Sequence, residues 1–179
     1  PPNIDAVFWF VEKVWPDIIQ NWPQAVFYIA GMNPTDKVQQ LATIQGIEVT
    51  GFVEDIKPYF DKATIFVAPF RIARGVQNKV LQAFACGLPV VASSMGAEGI
   101  RCQESNDILL ADTPEQFKAQ ILNLIKDPSL HQTISENALK TINNHYSWDS
   151  ILAPLNQLFQ QDSRYILVNL QKFPCTTHP

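Results

Sequence analysis

The chain has 179 residues, 46% of them hydrophobic, which is enough for one domain of ordinary size with a packed core. A net charge of -4 excludes the broad basic surface that binds nucleic acid or an anionic membrane. Its three widely spaced cysteines, Cys86, Cys102 and Cys175, include no CxxC pair, so we predict no disulfide framework, no metal site and a reducing cytosolic setting.

The first half of the chain alternates helical and strand patterns. Apolar residues from Ile4 to Ile18 recur at helical spacing and predict an opening helix with Asn3 as its N-cap and a kink near Pro16. The start of the chain lacks signal-peptide features, and no apolar run is long enough to cross a membrane. The elements predicted next are a strand over 25–30, a helix over 36–45, a strand over 47–50, a helix over 54–62 with acidic residues in its first turn, and a strand over 64–69.

The second half continues the same alternation. A polar loop over 70–75 leads into a predicted helix over 76–86, for which Gly87 is the C′ residue. Further predicted elements are strands over 89–92 and 107–111 and helices over 114–126, 128–144 and 148–161; the segment from 162 onward has no clear period, and we expect it to be poorly ordered. Short apolar strands separated by helices predict an α/β fold: a Rossmann-like, doubly wound parallel sheet of five or six strands with helices on both faces.

The most informative stretch follows the third predicted strand. In an open parallel sheet, ligands bind beyond the carboxyl ends of the strands, which is where loop 70–75 begins. Gly75 allows close approach of the backbone, and the helix N-terminus near Val76, Gln77 and Asn78 offers free N–H groups that suit a phosphate. Three cationic side chains in this stretch, Arg71, Arg74 and Lys79, are predicted to bind the phosphate oxygens, which arginine can hold in a bidentate way. The pattern indicates binding of a nucleoside diphosphate, although solvated charges on a polar loop remain an alternative.

Gln82 belongs to the same helix face as Asn78 and Lys79 because it lies four and three residues after them. The helix needs only Val80, Leu81, Ala83 and Phe84 for packing. We therefore consider two roles for Gln82, a hydrogen bond to a ribose or a backbone group, and an ordinary exposed helix glutamine.

The segment from Val49 to Pro69, followed by Gly75-Val-Gln-Asn-Lys-Val-Leu-Gln-Ala-Phe-Ala-Cys-Gly-Leu-Pro-Val-Val-Ala92, closely resembles the donor-binding half of a GT-B glycosyltransferase of group 1, or family 4. The resemblance runs from about residue 3 to about residue 160 and is closest to exopolysaccharide-type sugar transferases. It implies a donor-binding domain over 1–161, without its first strand and without the N-terminal acceptor domain, and a tail over 162–179.

The resemblance also implies roles for individual residues. Gly51, Phe52 and Val53 would flank the base, and the backbone from Gly75 to Asn78 would hold the diphosphate. Arg74 and Lys79 are the candidate catalytic cations, which stabilise charge on the leaving diphosphate. The paired glutamates of the family fall on Arg74 and Gln82, so Gln82 would accept the ribose hydroxyls without a charge.

The expected activity is therefore transfer from a nucleoside diphosphate sugar, of UDP or GDP type, to a glycan or lipid-linked glycan. The resemblance implies a retaining reaction without metal or cofactor, an inactive isolated chain, and a full-length enzyme in the cytoplasm whose peripheral association with the inner membrane face is left open. The alternatives are a non-catalytic nucleotide-binding or interaction module, a nucleotide-sugar epimerase of the same fold and a response-regulator-like receiver. His131, His145 and Cys86 are expected to be structural.

Overall fold

A single six-stranded sheet, with helices on both sides, organises the chain. The computed structural model describes residues 2–31, 33–73 and 75–146, together with the backbone of the strand over 164–170. The strands are β1 (Ala25–Gly31), β2 (Ile47–Gly51), β3 (Ile65–Ala68), β4 (Val90–Ala92), β5 (Leu109–Leu110) and β6 (Arg164–Leu170), in the sheet order β2-β1-β6-β3-β4-β5. The predicted α/β class and the number of strands are confirmed.

The helices follow the predicted alternation, with differences at their ends. They are α1 (Pro2–Lys13), α2 (Trp15–Asn21), α3 (Asp36–Gln40) with a 3-10 turn at Leu41–Thr43, α4 (Lys57–Lys62), α5 (Asn78–Ala85), α6 (Pro114–Lys126) and α7 (Pro128–His145). The opening helix divides in two, because Pro16 occupies the first turn of α2 and cannot continue α1. Asn3 lies inside α1, so its predicted N-cap role is wrong. The helix predicted over 148–161 lies outside the described residues.

The core lies between the sheet and its helices. Its largest fully buried side chains include Phe10 of α1, Trp15 of α2 and Phe27 of β1. The Phe10 and Phe27 rings lie 4.8 Å apart between centroids, and the indole N–H of Trp15 donates to the carbonyl oxygen of Gln45 at 3.0 Å. These contacts fix α1 and α2 against the first strand and leave the start of α1 at the edge of the sheet where β1 ends.

The centre of the sheet differs from the prediction. β6 lies between β1 and β3 and is antiparallel to both, whereas the β1–β2, β3–β4 and β4–β5 pairs are parallel. All seven residues of β1 have a partner in β6, from Ala25 opposite Leu170 to Gly31 opposite Arg164. The expectation of a poorly ordered tail from 162 onward is therefore wrong for 164–170. In the usual doubly wound order 3-2-1-4-5-6, this central position belongs to the first strand of the fold.

The parallel strands begin at one edge of the sheet, here called the amino edge, and α7 closes this edge. The Nε2 atom of His131 lies 2.9 Å from the carbonyl oxygen of Thr64, just before β3, and the hydroxyl of Ser135 donates to the carbonyl of Gly87, before β4. The buried Thr141 hydroxyl donates to Asp107, before β5. This helix therefore crosses the starts of three parallel strands and leaves their carboxyl ends to the loops.

Candidate functional site

The predicted site residues lie at the carboxyl edge of the sheet. Gly51, Phe52 and Val53 are at or just beyond the end of β2, and the stretch from Arg71 to Gln82 follows β3. The two segments are three strand positions apart, a distance of about 14 Å at the usual strand spacing. One ligand at this edge therefore has to extend across the ends of β1 and β6 to reach both.

The loop before α5 presents a glycine and an uncapped helix end. Gly75 has a φ of 69°, and a Cβ added there would meet no atom within 4 Å, so the backbone at this point borders open space. The side chain of Gln77, the N-cap residue, makes no capping bond and donates instead to the carbonyl of Gly75 at 3.1 Å. The first N–H groups of a helix have no intrahelical acceptor, so the start of α5 is suited to an anion.

Gln82 is buried, with 6% of its surface exposed, and its Oε1 atom has no hydrogen-bond partner among the residues that the structure describes. The exposed-glutamine alternative is therefore wrong. The structure gives one other such atom among the residues it describes, the indole nitrogen of Trp22, which lies before β1 at the amino edge. A buried acceptor without a donor is costly, so the Oε1 atom of Gln82 requires a donor from outside the described residues.

The three predicted cations have different surroundings. Lys79 is half-buried and interacts with other groups of the protein. Arg71 is exposed and bonded to Asp5 of α1, and its pKa is raised by this hydrogen bond and by the negative charge of the carboxylate. Arg74 lies outside the described residues. Arg71, which we predicted to bind the ligand, is thus already paired with the carboxylate of Asp5.

Residues after β4 support the loop, and the sequence did not indicate them. The buried hydroxyl of Ser93 donates to the carbonyl of Phe70 at 2.6 Å and accepts from the N–H of Gly96 at 2.9 Å. The N–H of Ala73 donates to the sulfur of Met95 at 3.0 Å. A Cβ added at Gly96 would lie 2.7 Å from the carbonyl oxygen of Ala68, so no larger residue fits there without a shift. The only sequence signal that could have indicated Ser93 was its position directly after a buried strand.

Apolar side chains are exposed around the same edge. Phe52 beyond β2 is 62% exposed, and Ile72, Val76 and Met95 in the neighbouring loops are also exposed. An exposed aromatic ring beside Gly51, whose φ is 68°, is suited to contact a planar base. The edge thus has an exposed aromatic ring near β2 and, near α5, cationic residues together with exposed apolar side chains.

The remaining candidates lie elsewhere. His131 and His145 belong to α7 at the amino edge, which agrees with the prediction of structural roles. A cavity of about 330 Å³ lies at that edge, between residues 101–107 and the end of α7. Within the described part of the chain, no three His, Cys, Asp or Glu residues are grouped as metal ligands would be, and no helix is long and apolar enough to cross a membrane.

Comparison with known sequences gives a family. The sequence profile of the family described as "Glycosyl transferases group 1" matches residues 1–127. Over 163 residues the chain is 24% identical to an uncharacterized 44.6 kDa protein in the cps region of Klebsiella pneumoniae. This alignment covers 87% of this chain and 42% of that protein. Over 125 residues it is 31% identical to an uncharacterized glycosyltransferase of Methanocaldococcus jannaschii, covering 65% of this chain and 31% of that protein. The chain thus spans less than half of the length of these relatives.

Solved structures share the fold. A variant of TarM from S. aureus, in complex with fondaparinux, alpha-GlcNAc-glycerol and UDP, superposes with a TM-score of 0.70 at 19% identity, covering 89% of this chain and 33% of that one. HepE of Anabaena, in complex with UDP and glucose, gives a TM-score of 0.66 at 16% identity, covering 84% of this chain and 44% of that one. At these identities the likeness establishes the fold.

Proposed function

Because the chain belongs to the group 1 glycosyl transferases, we propose that it is the donor-binding part of such an enzyme and holds a nucleoside diphosphate sugar at the carboxyl edge of its sheet. The observation that carries the proposal is the buried, unpartnered Oε1 atom of Gln82, one turn inside the helix whose N-terminus suits a phosphate. This membership favours a transferase over the epimerase and receiver alternatives.

Gln82 supplies the contact to the ribose. A ribose hydroxyl can donate a proton to the Oε1 atom, which supplies the donor that this buried acceptor lacks. The same hydrogen bond would give little benefit to an exposed side chain, because water already satisfies it there. The burial of Gln82 therefore supports a role in binding that its lack of charge does not remove.

The diphosphate lies against the start of α5 in this proposal. The N–H groups from Gly75 to Asn78 donate to its oxygens, and the open space beside Gly75 admits it. Arg74 and Lys79 stabilise the negative charge that builds on the diphosphate as the bond to the sugar breaks, and we propose no metal for this step. Phe52, with Gly51 and Val53, contacts the base.

We propose UDP as the nucleotide carrier. TarM and HepE, which share the fold, have been solved with UDP. The relative from the cps region suggests a glycan or lipid-linked glycan as the acceptor, hence a role in polysaccharide biosynthesis at or near the cytoplasmic face of a membrane. We propose that the acceptor is bound by a separate, N-terminal domain of the complete enzyme, that a hexosyl group is transferred with retention of configuration, and that this chain alone transfers no sugar.

Calorimetric titration of the 179-residue chain with UDP, GDP and UMP tests the proposal. We expect saturable binding of one UDP per chain, tighter than that of UMP because the second phosphate adds charged contacts. Lys79→Ala should weaken UDP binding with little change in the unfolding temperature, whereas Lys126→Ala, in the last turn of α6, should leave it unchanged. No binding of any nucleoside diphosphate at millimolar concentration would refute the donor-domain proposal.

A second candidate function is a non-catalytic nucleotide-binding module, which the uncharged Gln82 favours. The two functions predict different reactions for a complete enzyme of the length of the relatives, of which this chain spans less than half. A donor domain predicts that the complete protein hydrolyses or transfers from a UDP-sugar, while a binding module predicts UDP binding with neither reaction.

A further inference from the structure

An ion pair joins the loop after β3 to the first turn of α1. The Nη2 atom of Arg71 lies 2.5 Å from Oδ1 of Asp5, and its Nε atom lies 3.1 Å from Oδ2, so the two side chains form a bidentate pair across 66 residues of sequence. Their side chains are 52% and 30% exposed. Such a fork-to-fork arrangement fixes geometry as well as charge.

This pairing changes the role that the sequence suggested for Arg71. Two of its nitrogen atoms face the carboxylate, and the negative charge of Asp5 offsets the guanidinium charge. An arginine held in this way is a weak candidate for a direct phosphate ligand. Its evident effect is mechanical, because it ties an exposed loop to a helix that is itself anchored in the core by Phe10.

The tied loop is the one that carries the candidate diphosphate amides. It leaves the sheet at Phe70, whose carbonyl is held by Ser93, and reaches Gly75 only five residues later. Between them, Arg71 bonds to Asp5 of α1, and the N–H of Ala73 donates to the sulfur of Met95. The loop is thus fastened to two separate elements, α1 and the loop after β4, before it enters α5.

We propose that Asp5 is a positioning residue of the donor site: through Arg71 it fastens the start of the loop after β3 to α1 and so presets the backbone amides from Gly75 to Asn78 for the diphosphate. The inference rests on the proposed function. It adds Asp5 to the site and assigns Arg71 to the loop instead of to the ligand.

The direction in which Asp5→Asn changes the affinity for UDP separates the positioning role from direct binding of the phosphates by Arg71. Asp5→Asn removes a negative charge near an anion site and releases Arg71, so if Arg71 binds the phosphates, UDP affinity stays equal or rises. If the pair positions the loop, the same change loosens the amides, and UDP affinity falls although the local charge has become more favourable. The two roles predict opposite directions.

Calorimetry with UDP on the full 179-residue chain makes the test, with thermal unfolding measured in parallel. We expect Asp5→Asn to weaken binding at least threefold with little change in the unfolding temperature, because an exposed ion pair contributes little to stability. The charge-exchanged variant Asp5→Arg with Arg71→Asp should restore affinity to within about twofold of the unmodified chain, since it rebuilds the pair with the same net charge. The control is Asp17→Asn, which breaks the ion pair between Asp17 of α2 and Lys118 of α6 and should leave affinity unchanged.

The outcomes distinguish a failure of the positioning role from a failure of the proposed function. If the unmodified chain binds no UDP, the proposed function fails. If it binds UDP and Asp5→Asn binds equally or more tightly, the positioning role is wrong and the donor site stands. A charge-exchanged variant no better than Asp5→Asn would assign Arg71 to the ligand and overturn the inference, as would a loss of affinity that merely follows a loss of folded protein.

Discussion

Gln82 is the residue at which the fold and the proposed function make conflicting demands. Its side chain is 6% exposed on a helix whose other buried residues, Val80, Leu81, Ala83 and Phe84, are apolar. Leaving a buried oxygen without a donor lowers the stability of the unliganded protein by roughly 1–3 kcal/mol. A ligand that supplies the donor recovers this free energy on binding.

Replacing Gln82 tests this conflict. Gln82→Met removes the unpaired acceptor while nearly keeping the volume, so we expect the free energy of unfolding to stay equal or rise, while the dissociation constant of UDP increases about fivefold to tenfold, the effect of losing a hydrogen bond of about 1 kcal/mol. Gln82→Glu keeps an acceptor at the same position and should bind UDP more tightly than Gln82→Met. Urea unfolding and calorimetry measure the two effects. A variant that loses stability but keeps its UDP affinity would show that Gln82 is structural.

Cys102 gives a prediction on pH. Burial, and then the nearby charge of Asp107, raise the pKa of its thiol from 9.0 to about 11. Because the folded state keeps this proton when the unfolded state has lost it, the thiol stabilises the fold below pH 9 and the stabilisation declines as the pH rises toward 11. We expect the free energy of unfolding to decrease less between pH 8 and 10 in Cys102→Ala than in the unmodified chain.

Alkylation provides an independent measurement on the same thiol. Iodoacetamide at pH 8.5 should modify Cys102 more slowly in the folded chain than in urea, as followed by mass spectrometry of the Cys102 peptide, because the thiolate is the reactive form. Equal rates in the two states, together with identical pH profiles for Cys102→Ala and the unmodified chain, would contradict the raised pKa.

At the scale of elements, local signals in the sequence were sufficient for most of the chain. The helix over 114–126 is confirmed to the residue, because Pro114 begins it and the Thr113 and Gln116 side chains form a capping box. Helix 54–62 begins later than predicted, at Lys57, because the carboxylate of Asp55 accepts the N–H of Lys57 from outside the helix. Asp55 thus acts before the first turn instead of within it.

The local signals could not predict how distant segments pair or which polar atoms lack partners. The residues of β6 have the composition of a strand, but their place between β1 and β3 depends on pairing with residues more than a hundred positions earlier. The bond between Asp5 and Arg71 and the support of Ser93 likewise join separate loops. The spacing of residues predicted that Gln82 shares a helix face with Asn78 and Lys79. The burial of Gln82 depends instead on how the rest of the chain packs around α5.

Deleting β6 tests its place in the sheet. A chain ending at Ser163 leaves the inner edges of β1 and β3 without ladder partners, so we expect the unfolding temperature to fall by more than about 10 °C, or the protein to aggregate through these edges. The matched control ends at Leu170 and retains all of β6. Thermal unfolding and size-exclusion chromatography compare the two. Equal unfolding temperatures would contradict a structural role for β6.

At the scale of the whole molecule, the two edges of the sheet are divided between stability and binding. The amino edge is closed by α7 through His131, Ser135 and Thr141. The carboxyl edge carries loops with an exposed aromatic ring at Phe52, an uncapped helix start and the unpartnered oxygen of Gln82. The family match places this chain among the group 1 glycosyl transferases, and the proposed donor site lies at the carboxyl edge.

The most direct test of that location is an NMR titration of the ¹⁵N-labelled chain with UDP. We expect saturable shifts in the backbone amides of Gly51 to Val53 and Gly75 to Asn78 and in the side-chain amide of Gln82. The amides of residues 101–107 and of His145, which border the cavity at the amino edge, should stay unchanged. Absence of saturable shifts at millimolar UDP, or shifts confined to the amino edge, would contradict that location.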